Sequence, residues 1–183
     1  TSLSAEFLLT RVLERVRFCY QNGKEPQTSE SLHFFLSQDD MNRSLNNEQL
    51  NKFLQLDDSD IIQGLKTWQK DDDKVLSKIS SMLINRNLLK IKVQNVPFES
   101  NQVEEKYQRL RKQGLSEEDF KFFVFTEVIS NQTFMPQDNE ILIMDKKGNL
   151  KGLQEADAFF DSEELSRVQQ KYFLCFPRNK HLT

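Results

Sequence analysis

The stretch Val75-Leu-Ser-Lys-Ile-Ser-Ser-Met-Leu-Ile-Asn-Arg-Asn-Leu-Leu-Lys-Ile-Lys-Val93 decides the fold, because the spacing of its apolar residues changes within it. Up to Leu83 the apolar residues recur every three or four positions, which predicts a helix with one buried face. From Leu88 to Val93, leucine, isoleucine and valine alternate with lysine, which predicts a strand with one dry and one wet face. The sequence therefore predicts a change from helix to strand near Asn87.

The residues before this change are predicted to be helical. In the first twenty residues the apolar side chains again follow three- and four-residue steps, as Leu3, Phe7, Leu8, Val12, Val16 and Cys19. Shorter helices are predicted over residues 29–36 and 47–53. Two more are predicted to begin at the aspartates 57, 58 and 60 and at 71–73, since aspartate is a preferred residue at helix starts. The first of these ends near Trp68.

The residues after the change are predicted to alternate between helices and strands. We expect a charged helix over 100–113, a weak helix start at 116–119, and strands over 121–129, 140–144, 150–153 and 172–176. Asp145-Lys-Lys-Gly-Asn149 separates two of these strands and predicts a hairpin. Helices followed by strands favour an α+β fold. We therefore expect a helical part, residues 1–87, and then a small, mostly antiparallel sheet with one or two packed helices, residues 88–183.

Length and composition limit the class of protein. The chain has 183 residues, of which 37% are hydrophobic and 15 are phenylalanine, so it can bury a core. A net charge of −3 does not predict a broad nucleic-acid surface, and no apolar run approaches the roughly 18 residues of a membrane span. Two cysteines at opposite ends of the chain and no visible signal peptide favour a reducing compartment, and we expect a cytoplasmic location.

The sequence lacks a recognisable catalytic centre. Its two histidines, His33 and His181, belong to no metal-binding or nucleophile motif, and His33 is expected on a helix near the core. The aspartates at 57, 58 and 60 and at 71–73 could hold Mg²⁺, but both groups stand where helices begin, and capping is the favoured interpretation. We expect no catalytic residue and no metal site in this chain.

Two basic groups remain. The basic residues within 106–112 share a helix with glutamates, which predicts a solvated face with ion pairs four residues apart. Arg86 and Lys90 lie at the change from helix to strand, where a guanidinium and an ammonium could converge on a phosphate. The alternative is a helix-end charge next to an exposed strand lysine. Spacing alone leaves both interpretations open.

Several segments together carry a resemblance to a known family. In chain order they are the opening helix, His33–Leu36, Phe53–Ile62, Trp68, Val75–Ile79, Leu83–Lys90, Gln154–Asp157 and Lys171–Pro177. In this order they resemble the HD-domain phosphohydrolases, in particular those related to deoxynucleoside triphosphate triphosphohydrolases. The resemblance spans most of the chain.

This chain differs from that family in the catalytic motif. Its chemistry requires a histidine, a His-Asp pair and a further aspartate around a metal that activates water. No His-Asp pair occurs in this chain. The resemblance therefore implies the C-terminal region of such an enzyme, with a divalent metal in an HD part that would precede Thr1. It also implies a homo-oligomer, in which the partners are the HD part or sibling subunits.

The resemblance also bears on the basic pair. In tetrameric relatives, the arginine and lysine that match Arg86 and Lys90 contact a regulatory nucleotide at a subunit junction. Leu89 stands where an aromatic residue is common in the family. A complete site would then require residues from the HD part or from another subunit.

Three functions follow as hypotheses. The first is a non-catalytic region of a phosphohydrolase that supports assembly and binds a regulatory nucleotide, which predicts an exposed apolar face on the first helices. The second is a free-standing module without enzymatic activity that binds a protein partner through a sheet edge or a helical groove. The third is an enzyme that uses its carboxylates with Mg²⁺.

Overall fold

A computed structural model describes residues 2–38, 46–112, 114–130, 142–144, 146–152 and 170–178. The helices are α1 (Ser2–Gln21), α2 (Glu30–Leu36), α3 (Asn47–Leu54), α4 (Asp58–Trp68), α5 (Lys74–Ile84), α6 (Ser100–Arg111) and α7 (Glu117–Phe120). The strands are β1 (Lys90–Gln94), β2 (Phe125–Ser130), β3 (Leu142–Met144), β4 (Leu150–Gly152) and β5 (Gln170–Phe176).

The described strands form two small sheets. Strands β1, β5 and β2 form an antiparallel sheet in that order, and β3 pairs with β4 as the predicted hairpin, with Ile143 opposite Lys151. The α+β class with a helical N-terminal part is therefore confirmed. The remaining residues of the predicted strands 140–144 and 150–153 lie outside the described residues. The division of the chain at residue 87 stays a prediction.

The chain forms two compact units. The first takes its described residues from Thr1–Lys92, Glu99–Thr126 and Leu174–Thr183, and it contains α1 to α7. The second takes them from Val93–Phe98 and Glu127–Phe173, and it contains the β3–β4 hairpin. Within the described residues, no helix has the length and the apolar composition needed to cross a membrane.

Helices α1, α4 and α5 build the helical core of the first unit, and α5 packs against both of the others. The buried apolar side chains are Leu8, Val12, Val16 and Cys19 in α1, Leu65 and Trp68 in α4, and Val75, Leu76, Ile79 and Met82 in α5. Each large aliphatic or aromatic side chain buried in this way contributes about 1.5–3 kcal/mol. The apolar stripes predicted for α1 and α5 thus lie largely on the faces that these helices bury, whereas Ile62 on α4 is 48% exposed.

Aspartates hold the starts of α4 and α5, as predicted. Asp57 accepts a hydrogen bond from the Ser59 amide at 2.7 Å, and the Asp60 carboxylate accepts one from the Asp57 amide at 3.0 Å. Asp73 accepts one from the Leu76 amide at 2.9 Å. Each of these bonds satisfies an amide that has no partner within its own helix. Capping is therefore confirmed for these three aspartates.

A buried ion-pair network fixes the start of α5. Arg15 of α1 donates from Nε and Nη2 to the two carboxylate oxygens of Asp73, both at 2.9 Å, and from Nη1 to Asp119 at 2.8 Å. Lys24 Nζ donates to Asp73 at 3.0 Å. Burial raises the pKa of Asp73, but these bonds and the Leu76 amide outweigh it, so the pKa of this carboxyl lies well below its usual range.

The strand predicted over 121–129 begins later than expected. Residues 121–124 form a turn that follows α7, and β2 starts at Phe125. In this turn the Phe120 carbonyl accepts hydrogen bonds from the amides of Phe123 and Val124 at 2.9 and 2.8 Å. Phe123 and Val124 are nevertheless buried, so the apolar composition predicted the burial correctly and the backbone conformation wrongly.

Candidate functional site

Helix α5 ends in a Schellman motif at the predicted change from helix to strand. The Asn87 amide donates to the Met82 carbonyl at 2.8 Å, and the Arg86 amide donates to the Leu83 carbonyl at 3.2 Å. In this motif the residue that follows the C-cap adopts a left-handed backbone conformation, for which glycine is the usual choice. Here that residue is Arg86, with φ of 56°.

Arginine is a costly residue at such a position. The left-handed conformation costs a residue with a Cβ atom about 1–2 kcal/mol. At the other positive-φ positions of the described chain the residue is glycine, namely Gly23, Gly114 and Gly148. Backbone strain of this kind is concentrated at functional sites. The strain therefore motivates the hypothesis that Arg86 serves a purpose through its side chain.

The segment that follows Arg86 has a backbone held by a buried hydrogen bond and two exposed cationic side chains. Leu89 is only 3% exposed, and its carbonyl accepts a buried hydrogen bond from Ser4 Oγ at 2.8 Å. Arg86 and Lys90 are exposed, and neither forms a side-chain hydrogen bond or an ion pair with the described residues. The structure thus fixes the backbone between two cationic side chains and leaves their charged groups accessible.

This arrangement suits an anion that binds to side chains. A guanidinium offers two parallel N–H donors to a phosphate, and an ammonium adds a compact positive charge. The C-terminal end of a helix has negative polarity, so α5 itself does not attract an anion there. Any phosphate at this position would therefore depend on Arg86 and Lys90.

The basic residues of α6 differ from this pair because they already have partners. Arg109 binds Glu105 at 2.9 Å, four residues earlier, and Arg111 binds Glu104 and Glu117, each at 2.7 Å. Lys106 binds the same Glu105 at 2.8 Å. The predicted ion pair four residues apart is confirmed for Glu105 and Arg109, and an exposed pair of this kind contributes only about 0–1 kcal/mol.

The histidines and the segment Gln154–Asp157 are the next candidates. His33 lies on α2, which buries Leu32 as expected of a helix near the core, but the His33 side chain is exposed and meets the Tyr20 ring edge-on at 5.0 Å. His181 and the segment Gln154–Asp157 lie outside the described residues. Within the described residues, no group of three His, Cys, Asp or Glu side chains is placed to hold a metal ion.

Sequence reasoning overlooked Arg15. It lies three residues after Val12 and four before Cys19, both of which are buried, so its position on the apolar stripe of α1 was a usable signal. An arginine on a buried stripe requires an anionic partner. The partner, Asp73, is 58 residues away in the chain, and only the folded structure identifies it.

The fold and the exposed basic pair define an α+β protein with a candidate anion site. No protein-family model matches the chain, and no curated protein matches it. Among solved structures, the crystal structure of a phosphohydrolase from Bacteroides thetaiotaomicron VPI-5482 is similar, with a TM-score of 0.77 and 34% sequence identity. The similarity covers 97% of this chain and 45% of that one, so this chain spans just under half the length of that protein. The fold is phosphohydrolase-related.

Proposed function

We propose that this chain is a non-catalytic region of an HD-superfamily (deoxy)nucleotide phosphohydrolase, which supports assembly and binds a regulatory nucleotide through Arg86 and Lys90. The observation that carries the proposal is the 34% identity to a phosphohydrolase over nearly the whole of this chain but under half of that protein. The strained, exposed Arg86 adds the candidate nucleotide contact.

The hydrolytic chemistry is assigned to a separate HD part of the protein. That chemistry requires a cluster of histidine and aspartate ligands around a divalent metal. The residues described here do not fit such a metal, since no group of three potential ligands comes together among them and the chain contains no His-Asp pair. We therefore propose that the hydrolytic step takes place outside this chain.

Helix α3 is the proposed assembly surface. None of its residues is buried, and Leu50, Phe53 and Leu54 are 43%, 55% and 71% exposed, while Ile62 on α4 is 48% exposed. Among the described residues, the Phe35 ring lies 6.2 Å from the Phe53 ring. Leu50, Phe53 and Leu54 are spaced three and four residues apart, so they share one face of α3, and a contiguous exposed apolar patch is typical of an interaction site. The HD part or a sibling subunit is the proposed occupant.

The nucleotide would bind at an incomplete half-site on this chain. Arg86 and Lys90 supply positive charge for the phosphates of the proposed nucleotide. A second subunit or the HD part would complete the site. Nucleotide binding and assembly are therefore proposed to depend on each other, because each would supply free energy that the other needs.

Sedimentation velocity with and without deoxynucleoside triphosphates tests the proposal. We expect the nucleotides to raise the average mass of the protein, and we expect Arg86→Ala to abolish that increase. Lys112→Ala, which removes an exposed lysine at the end of α6, is the matched control and should retain it. A mass that does not respond to nucleotide in any variant would contradict the regulatory role.

The same exposed α3 face would also serve a free-standing interaction module. Affinity purification from the source organism separates the two functions. A phosphohydrolase subunit, attached or sibling, is expected if the proposal is correct. Recovery of unrelated proteins alone, lost on Phe53→Ser, would favour the interaction module instead.

A further inference from the structure

We infer that a groove between the segment 25–29 and helix α4 binds a hydroxyl-bearing ring, of the kind found in a nucleoside or a free sugar. The groove is distinct from Arg86 and does not rest on the proposed function. Its first cavity has a volume of about 470 Å³. Its lining includes Gln27, Ser59, Asp60, Gln63, Gly64 and Thr67. That volume is typical of small-molecule sites, which span about 300–1,000 Å³.

The loop wall of the groove is held by hydrogen bonds to the helical core. The buried Trp68 donates from Nε1 to the Gln27 carbonyl at 2.9 Å. Tyr20 Oη lies 2.8 Å from the Pro26 carbonyl and 2.9 Å from Thr28 Oγ1. A wall fixed in this way loses little conformational freedom when a ligand binds, which favours affinity.

The floor of the groove depends on Gly64. A Cβ atom at this position would lie 2.8 Å from the Trp68 ring, closer than atoms in contact can approach. Because Gly64 has no side chain, the indole ring of Trp68, one turn later in α4, can pack close to the Gly64 backbone. Gly64 and Trp68 thus set the position of α4 relative to the segment that faces it.

The chemistry of the lining matches hydroxyl groups. The side chains of Gln27, Ser59 and Gln63 form no hydrogen bond with the described residues and offer both donors and acceptors. A hydroxyl group also donates and accepts, so it can use each of these groups. Hydrogen bonds from Ser29 and from the Asp57 amide lower the pKa of Asp60, so this carboxylate accepts from a hydroxyl and repels a phosphate.

The adjoining cavity supports a neutral ligand rather than an ion. It has a volume of about 660 Å³ and shares Gln27, Gln63 and Thr67 with the first. Charges of both signs line it, namely Lys66, Lys70, Glu25, Asp71 and Asp72. Such a mixture selects neither a net anion nor a net cation, and a neutral polar ring avoids repulsion from either sign.

Amide chemical-shift mapping of the purified chain by NMR tests the inference. Adenosine, deoxyguanosine and methyl glucoside are titrated separately, each to millimolar concentration. We expect saturable shifts at Gln27, Gln63 and Thr67 with at least one of them, and the ranking of the three identifies a nucleoside or a sugar as the source of the ring. Absence of saturable shifts with all three would overturn the inference.

Gln63→Ala is the variant that separates this groove from other sites. Gln63 is exposed on α4, and alanine favours a helix, so the fold should be retained. We expect the variant to weaken binding about tenfold or more, while Gln108→Ala on α6, the matched control, leaves the affinity unchanged. Undiminished binding in Gln63→Ala, or shifts confined to the region of Arg86 and Lys90, would also overturn the inference.

Discussion

The two ends of α5 carry charged side chains under opposite conditions. At the N-terminal end Asp73 is buried and accepts hydrogen bonds from Arg15, Lys24 and the Leu76 amide. At the C-terminal end Arg86 is exposed, has a left-handed backbone, and has no side-chain partner among the described residues. One charge is fully compensated within the fold, and the other is not.

This difference separates charges that stabilise the fold from charges that can bind a ligand. A buried charge must be paired, because moving a charge out of water costs several kcal/mol unless a partner compensates it. An exposed charge needs no partner, so its position is free to serve binding. Residues of the first kind should affect stability, and residues of the second kind should affect affinity.

The largest effect is expected from breaking the buried Arg15–Asp73 ion pair at the N-terminal end of α5. Replacing Arg15 with Met leaves Asp73 buried with only Lys24 and the Leu76 amide as partners. Loss of one member of a buried ion pair costs about 3–5 kcal/mol. Urea unfolding followed by circular dichroism measures this free energy.

Two further variants show whether the cost comes from the unpaired charge. Asp73→Asn added to Arg15→Met should recover part of the lost stability, because asparagine also caps a helix and carries no charge. Arg109→Met, which removes an exposed pair with Glu105, should cost less than about 1 kcal/mol. Equal losses in Arg15→Met and Arg109→Met would contradict the distinction between the two kinds of charge.

The stabilising contribution of Asp73, at the N-terminal end of α5, should also be lost in acid. The folded pKa of Asp73 lies below the ordinary value of 3.8, so the folded state binds fewer protons here than the unfolded state. The contribution of Asp73 is therefore complete above that value and declines as the pH falls below it. Urea midpoints at pH 6 and pH 3 should differ more in the wild-type protein than in Asp73→Asn, and an equal decline in both would exclude Asp73 as the cause.

At the C-terminal end of α5, Arg86→Gly should have opposite effects on stability and on nucleotide binding. Glycine relieves the left-handed strain, so the free energy of unfolding should rise by about 1 kcal/mol. The same change removes the guanidinium and should lower the affinity for a deoxynucleoside triphosphate about tenfold or more. Calorimetry of binding and urea unfolding measure the two effects, and a less stable Arg86→Gly protein would show that the side chain has a structural role.

The smallest effect is expected from removing the hydrogen bond between Ser4 and the Leu89 carbonyl. Ser4→Ala removes the buried hydrogen bond to the Leu89 carbonyl, which costs about 0.5–1 kcal/mol after the better helix propensity of alanine is included. Thr10→Ala is a matched change on the exposed face of α1, where the hydroxyl bonds only within its own helix. If both variants are equally stable, the Ser4 bond does not anchor this segment.

The helices were predictable because their signals are local. The periodic apolar residues of α1, α4 and α5 and the aspartates at 57 and 73 lie within a few residues of the structure that they specify. The predicted strand over 121–129 was partly wrong, because a run of phenylalanine and valine indicates burial without indicating the backbone conformation. For His33, the neighbouring apolar residues predicted a position near the core that its own side chain does not take.

The sequence by itself determined the α+β class, the order of the helices, the capping aspartates, and the location of the basic pair at the change from helix to strand. Only the tertiary structure decided that Arg15 pairs with Asp73, that Leu89 is anchored by Ser4, and that Arg86 takes a strained backbone. Periodicity and capping arise between neighbours in the chain, whereas a buried charge is paired by whichever residue folding brings beside it.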